Sequence, residues 1–221
     1  MNMQNHQTRA SAGLNAFIII ALIGLIAALI IPTIGKVPGC GGRSAEVSNL
    51  RQIGQAGLIY AADHQDRLPE TDDLHGFMIA LAKAGGMNSA DLWFVHGDPL
   101  LKTDIPYATV LNAEGTALHD DLKDAPIGWA AVISGLHVGA GSTTPVAWTR
   151  GLQPDGTWSK DSPHAGEGGY IVFLGGNISA FTRSLADQPL RRYDGNGTTT
   201  NILEALPPGS RVGEWRPVAA H

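Results

Sequence analysis

A long uncharged run near the N-terminus constrains this chain more than any other feature of its sequence. Residues 10–35 contain no charged side chain, and residues 17–34 read FIIIALIGLIAALIIPTI. A helix of about 20 apolar residues spans the hydrocarbon core of a bilayer, which is roughly 30 Å thick. The run therefore predicts a transmembrane helix at residues 14–34, which crosses the lipid bilayer once and follows a short N-terminal tail at residues 1–13.

Other interpretations of this region have less support. A buried core helix is usually shorter and less uniformly apolar. A cleaved signal peptide has a shorter apolar region that ends in small residues, and no A-x-A pattern follows this run. Cys40 follows Val37-Pro-Gly and faintly resembles a lipoprotein cleavage site, but Lys36 stands between the apolar run and the cysteine.

The composition of the chain excludes some classes of function. With 221 residues there is room for one anchored domain of ordinary size. The formal net charge is −5 and no Lys/Arg cluster is present, so nucleic-acid binding is not supported. Cys40 is the single cysteine and cannot form an internal disulfide. No metalloprotease, P-loop or nucleophile-elbow motif occurs, so we expect no enzymatic activity.

A soluble domain is predicted at residues 44–221, after a Gly/Pro hinge at residues 35–43. Ser44 is a suitable cap for a helix at residues 44–67, which ends before Leu68-Pro69. Glu46 and Arg51 are among the polar residues expected on its surface. Small and apolar residues recur at helical spacing and predict its buried face: Val47, Leu50, Gly54, Gly57, Leu58 and Ala61.

A second helix is expected from Asp72 or Asp73 to Ala84, with Thr71 as its cap. The pattern of residues 86–126 favours neither helix nor strand. Short β-type runs at 129–133, 146–149, 170–174 and 177–181 predict an antiparallel sheet within residues 127–182. The last two runs flank Gly175-Gly176, which suits a hairpin with a type I′ turn. Residues 183–221 are predicted to be a loop-rich tail with one helical turn near residues 202–206.

The order of these elements resembles that of type IV pilins and type II secretion pseudopilins. Residues 26–32 (IAALIIP) are similar to the end of a prepilin N-terminal segment, with Gly24 and Pro32 at the family spacing. Residues 48–63, followed by Arg67-Leu-Pro, resemble the NLRQIG…YA.D…LP stretch of pseudopilin-like proteins from planctomycete and verrucomicrobial bacteria. Residues 168–181 resemble their closing hairpin. The middle of the chain is not covered by this likeness.

The resemblance implies an α+β, pilin-like fold in which an amphipathic helix packs on a small C-terminal antiparallel sheet. It implies a structural role in a pilus-like or type II secretion pseudopilus assembly. The expected partners are other pilin-like subunits and membrane proteins of the secretion system. The expected location is the bacterial inner membrane, with a cytoplasmic N-terminal tail at residues 1–13 and a periplasmic or cell-surface C-terminal domain.

The N-terminal segment departs from the family pattern at the cleavage region, which reads Ala10-Ser-Ala-Gly-Leu-Asn15 where the family has Gly or Ala followed by FTLIE, and at residue 15 itself. Asn15 stands where the family has a glutamate, and cleavage between Ala10 and Ser11 would fit the family register. In the family, the glutamate is thought to neutralise the N-terminal amine of the neighbouring subunit. Its loss implies a minor or tip-like subunit. The alternative is a membrane-tethered extracytoplasmic binding module that has lost polymerisation.

A Gly-rich loop before the closing hairpin predicts the only candidate ligand site. Calcium prefers six to eight oxygen ligands, and Asp155, Asp161 and Ser162 offer side-chain oxygens here. Major pseudopilins have a similar acidic loop that binds calcium. The alternative is a plain loop in which Asp155-Gly156 forms a β-turn. No other metal or cofactor is predicted.

Overall fold

In a computed structural model of the chain, residues 40–84, 86–101 and 108–216 are described, with side chains from Arg43 onward. They belong almost entirely to a compact unit, Gly42–His221. The predicted transmembrane helix at residues 14–34 lies outside the described residues. So do the predicted processing and assembly positions Ala10, Ser11, Asn15, Gly24 and Pro32. None of the helices in the described part of the chain is long and apolar enough to cross a membrane.

The first described helix, α1, extends over Cys40–Asp63. It begins four residues before the predicted cap at Ser44, so the C-terminal end of the predicted hinge at residues 35–43 is helical. Glycine weakens a helix by only about 1 kcal/mol, whereas proline prevents one from continuing, and Pro38 lies before this start. The helix ends where Gln65 and Asp66 adopt positive φ angles of 55° and 61°.

The buried face of α1 matches the predicted periodicity. Leu50, Gly54, Gly57 and Ala61 are buried, as expected from their spacing. The expectation that Glu46 lies on the surface is wrong, because only 4 % of this residue is exposed. It lies against His164 from a distant loop, a contact that helical periodicity cannot reveal.

Helix α2 extends over Leu74–Ala84 and buries Leu74, Phe77 and Leu81, among others. Its expected boundaries are nearly right, but the expected cap is not. The Oδ1 atom of Asp73 accepts a hydrogen bond from the Gly76 N–H at 2.7 Å, which makes Asp73 the capping residue. The Thr71 hydroxyl donates instead to backbone carbonyls, including that of Ile133 at 3.3 Å.

The domain is α+β, as predicted, with a five-stranded antiparallel sheet in the order β4-β3-β2-β1-β7. A separate two-stranded ribbon lies in the tail. The strands are β1 Trp129–Ser134, β2 Pro145–Thr149, β3 Gly168–Phe173, β4 Ile178–Thr182, β5 Leu190–Arg191, β6 Thr198–Thr199 and β7 Arg211–Glu214.

Strand β7 corrects the expectation that the sheet ends near residue 182 and that residues 183–221 are loop-rich. It pairs with β1, with Val212 opposite Val132. A strand of four residues that contains glycine gives no readable alternation, so its place depends on the β1 edge that it completes. The helical turn expected near residues 202–206 is confirmed as a 3-10 helix at Ile202–Ala205.

The β3–β4 hairpin is present, but its turn is not type I′. Only Gly176 of the glycine pair has a positive φ, of 82°. The Gly176 N–H donates to the Phe173 carbonyl at 2.8 Å, and the Phe173 N–H donates to the Asn177 carbonyl at 3.0 Å. This is a three-residue loop in which one glycine takes the left-handed conformation. Gly175 is needed for space, since a Cβ there would lie 2.9 Å from the Ser142 carbonyl oxygen.

Candidate functional site

The loop between β2 and β3 contains the three candidate calcium ligands. The side chains of two of them accept hydrogen bonds from other residues of the same loop. Asp155 Oδ1 accepts hydrogen bonds from the Thr157 hydroxyl at 2.7 Å and from the Thr157 N–H at 2.9 Å. These bonds hold the pKa of Asp155 below its ordinary value. Ser162 is fully buried, and its hydroxyl oxygen accepts from the Gly166 N–H at 3.0 Å.

Asp161 contacts the buried guanidinium of Arg150 through its backbone. Its carbonyl oxygen accepts a hydrogen bond from Arg150 Nη2 at 3.0 Å. Within residues 40–84, 86–101 and 108–216, no group of three or more His, Cys, Asp or Glu side chains is placed to hold a metal ion. Calcium binding by Asp155, Asp161 and Ser162 stays a prediction from the sequence.

Arg150, directly after β2, forms a buried ion pair beside this loop. Its Nη2 atom lies 2.9 Å and 3.1 Å from the two carboxylate oxygens of Asp98. Both side chains are buried, with exposed fractions of 4 % and 1 %. Arg150 Nη1 donates to the Ile127 carbonyl at 3.0 Å, and the guanidinium lies 5.1 Å from the ring centroid of Trp215. The pair therefore joins five separate segments of the domain, around residues 98, 127, 150, 161 and 215.

A second buried pair links the start of α1 to the same loop. His164 Nε2 lies 2.9 Å from Glu46 Oε2, and the two side chains are 20 % and 5 % exposed. The alignment does not satisfy hydrogen-bond geometry, so the contact is electrostatic when His164 is protonated. The ring of Tyr170 meets His164 edge to face at 6.0 Å. Burial, and then the negative charge of Glu46, raise the pKa of Tyr170.

The sequence alone did not identify these four residues as members of buried pairs. Arg150 directly follows an apolar strand, which is the one local signal that it is buried. Asp98 and His164 lie in irregular segments, where no periodicity indicates burial. Glu46 has the spacing of a surface residue next to the predicted stripe. Their pairing is a property of the tertiary structure.

Two cavities flank the edge strand β7. The first, which we call the apolar cavity, has a volume of about 360 Å³. Sheet residues and the two covering segments 152–154 and 201–203 form its walls. Its apolar lining is formed mainly by Ala130, Trp148, Leu152, Ile202, Leu203 and Val212.

The second cavity, which we call the acidic cavity, has a volume of about 310 Å³ and lies beside the start of α2. Glu214 lines both cavities. One oxygen of its carboxylate accepts from the Gly151 N–H at 2.6 Å, and the other lies 3.7 Å from Arg216 Nε. Carboxylates and cations line this cavity together: Asp73, Asp124, Glu214, Lys123 and Arg216.

Comparison with protein-family models, with curated proteins and with solved structures finds no match for this chain. The geometry of the buried pairs, the cavities and the sheet edge is therefore the basis for assigning a function.

Proposed function

We propose that this protein is a membrane-anchored, non-enzymatic structural subunit, minor or tip-like, of a pilus-like or type II secretion pseudopilus assembly. The observation that carries the proposal is the contact between α1 and the β3–β4 hairpin. Helix α1 follows the apolar run in the chain, and its buried stripe reaches the sheet at Gly54, where Val172 fills the space of a side chain. This order and packing agree with the pilin-like architecture that the sequence resemblance implies.

The minor or tip-like role rests on Asn15. A bundle of apolar helices tolerates few polar groups, and each needs a partner. A glutamate can pair with an incoming N-terminal amine and so define a repeating stagger by charge. An asparagine offers only neutral hydrogen bonds, so this chain joins filaments built mainly from other subunits.

A second function is favoured by the two cavities beside β7. A membrane-tethered binding module that has lost polymerisation would need a concave surface on its soluble domain. The apolar cavity has the size of a small binding pocket, and beside its apolar side chains it is lined by Gln153, Asn201, Glu214 and Arg216. The two functions differ in whether the protein leaves the membrane with sheared filaments.

Filament shearing tests the structural role. The full chain is expressed in a bacterium with and without its other pilin-like subunits, and sheared surface material is probed by immunoblotting and electron microscopy. We expect the chain in the sheared fraction only when the other subunits are present. Filaments made of this chain alone would refute the minor-subunit role, and complete retention in the membrane with all subunits present would favour the binding module.

Two accompanying measurements test the anchor and Asn15. Cys40 is the single cysteine, so a membrane-impermeant thiol reagent reports its side of the inner membrane. Labelling that requires a permeabilised inner membrane would contradict the orientation. Asn15→Glu should create filaments where none existed, whereas the matched variant Asn15→Gln, which adds no charge, should not.

A further inference from the structure

Within the part of the chain that the structure describes, strand β7 leaves one edge of the sheet unpaired. It is the last strand in the order β4-β3-β2-β1-β7 and pairs with β1 alone among the described strands. No backbone hydrogen bond joins its other edge to any residue within the described ranges. An edge of this kind presents unpaired N–H and carbonyl groups, which are a template for an additional strand.

The two cavities share Glu214 and Arg216 at the end of this edge strand, and their linings otherwise differ. Val212 lines the apolar cavity, while Gly213, the next residue, faces the start of α2, where a Cβ on it would lie 3.0 Å from the Leu74 nitrogen. Leu74 in turn lines the acidic cavity. Successive side chains of a strand point to opposite faces, so a strand added beside β7 would direct neighbouring side chains towards different cavities.

The chemistry of the cavities differs and selects different side chains. The apolar cavity has Leu203 at its rim with 54 % of its surface exposed, which leaves apolar area for a ligand to cover. The acidic cavity has three carboxylates and two cations in its lining. Of the cations, Lys123 lies 2.8 Å from Asp120, which is outside the lining, and Arg216 lies 3.7 Å from Glu214. The other two carboxylates of the lining, Asp73 and Asp124, give this cavity its excess of negative charge. The acidic cavity therefore favours a basic side chain.

We propose that the open edge of β7 binds an extended peptide segment of another protein by strand addition. One apolar side chain of the segment enters the apolar cavity, and the basic side chain next to it in sequence enters the acidic cavity. The edge supplies main-chain hydrogen bonds and the cavities supply sequence preference. This inference goes beyond the proposed assembly role and does not depend on whether the chain joins a filament.

Peptide binding to the full chain in detergent tests the proposal. The probe is a fluorescein-labelled peptide, Thr-Val-Thr-Leu-Lys-Thr-Val-Thr, whose binding is followed by fluorescence anisotropy. We expect saturable binding that weakens about tenfold when the leucine becomes serine or the lysine becomes glutamate. Absence of saturable binding at millimolar peptide would overturn the proposal.

Variants with matched controls assign the site. Leu203→Ser should weaken binding about tenfold, whereas Ile59→Ser should not, although Ile59 on α1 is equally exposed at 53 %. Asp124→Lys should exclude the lysine peptide and favour the glutamate peptide, whereas Asp121→Lys, an exposed change outside the cavity lining, should have little effect. Equal effects of variant and control would overturn the site.

Backbone methylation separates strand addition from simple pocket binding. A paired peptide offers only alternate N–H groups to β7. Methylating the nitrogens of one alternate set should abolish binding, while methylating the other set should leave it unchanged. Equal tolerance of both sets would refute strand addition. Concentration-dependent dimers of the chain that Leu203→Ser disrupts would assign the edge to a second copy instead.

Discussion

Gly54 of α1 lies directly against Val172 of β3. A Cβ built on Gly54 would stand 2.9 Å from Val172 Cγ2, closer than side-chain atoms normally approach. Val172 belongs to an interior strand, with Ala147 and Ile178 as its partners on either side. The absence of a side chain at one helical position therefore determines how closely the helix approaches the sheet.

Gly54→Ala should destabilise the domain although alanine is the better helix former. Helix propensity alone predicts a gain of about 1 kcal/mol. Overpacking against a β-branched side chain in a sheet interior should outweigh it, for a net loss of about 1–2 kcal/mol in the free energy of unfolding. Urea denaturation of the full chain in detergent, followed by tryptophan fluorescence, measures the change.

Gly57→Ala is the matched control, because its new Cβ would meet the flexible end of Leu68 at 3.3 Å. We expect a smaller loss or a gain in stability. Adding Val172→Ala to Gly54→Ala should recover part of the loss, since both changes act on one contact. Equal effects of Gly54→Ala and Gly57→Ala would contradict the close approach.

Gly176 and Gly175 should respond differently to substitution, because one is needed for its φ angle and the other for space. Gly176 has a φ of 82°, and a Cβ added there would meet no atom within 4 Å. Gly176→Asn should therefore be tolerated, because asparagine adopts positive φ readily. Gly176→Val should lower the free energy of unfolding by about 1 kcal/mol or more, because a β-branched residue is strained there. Gly175→Ala should destabilise by pushing against Ser142. The melting temperatures of the three variants distinguish the two requirements. An unchanged melting temperature for Gly176→Val would exclude the left-handed conformation of Gly176.

Asp98→Ala should be more damaging than any of these glycine substitutions. It leaves the Arg150 guanidinium buried without its carboxylate, a situation that typically costs about 3–5 kcal/mol. Urea denaturation measures the loss. Asp120→Ala is the control, because Asp120 pairs with Lys123 at the surface and its removal should leave the unfolding midpoint nearly unchanged. A mild effect of Asp98→Ala would show that water or another group reaches Arg150.

Tyr170 should make the domain sensitive to alkaline pH. Its pKa is raised in the folded state, so the folded protein holds the phenolic proton more tightly than the unfolded chain. Stability is therefore fully present below the ordinary tyrosine pKa of about 10 and falls as the pH rises above it. Phenolate absorbance and urea denaturation across this range measure both effects.

Glu46→Gln should lower the pKa of Tyr170, because it removes the second cause of the shift while burial remains. Tyr170→Phe assigns the titrating group and should flatten the alkaline decline, while Tyr193→Phe, at an exposed site, should not. The same titration step in all variants would place the shifted phenol elsewhere.

Calcium should raise the melting temperature of the full chain if the predicted ligands act together. The expected effect appears at millimolar calcium and is lost in Asp161→Ala, but not in Asp194→Ala, a change in another exposed glycine-containing turn. An unchanged melting temperature would support the plain-loop alternative, in which the Asp161 carbonyl accepts from Arg150 and the loop holds no metal ion.

Several elements could be predicted from the sequence because their signals are local. The stripe through Leu50, Gly54 and Ala61 indicates α1 by its spacing, and the β-type runs around Gly175-Gly176 indicate a hairpin. Glycine content shows that a tight turn is required but not which conformation it takes. The approach of Ser142 to Gly175, from a separate loop, decides that point.

The buried pairs of the candidate site could not be predicted from the sequence, because they are contacts between distant segments. Glu46 is spaced like a surface residue, and the His164 ring that lies 2.9 Å from its carboxylate comes from a distant segment. The sequence by itself determined the α+β class, the helices and the hairpin, since periodicity and turn chemistry act within a few residues. Only the tertiary structure decided that β7 completes the sheet and that Arg150 meets Asp98, since strand pairing and charge burial depend on which segments meet.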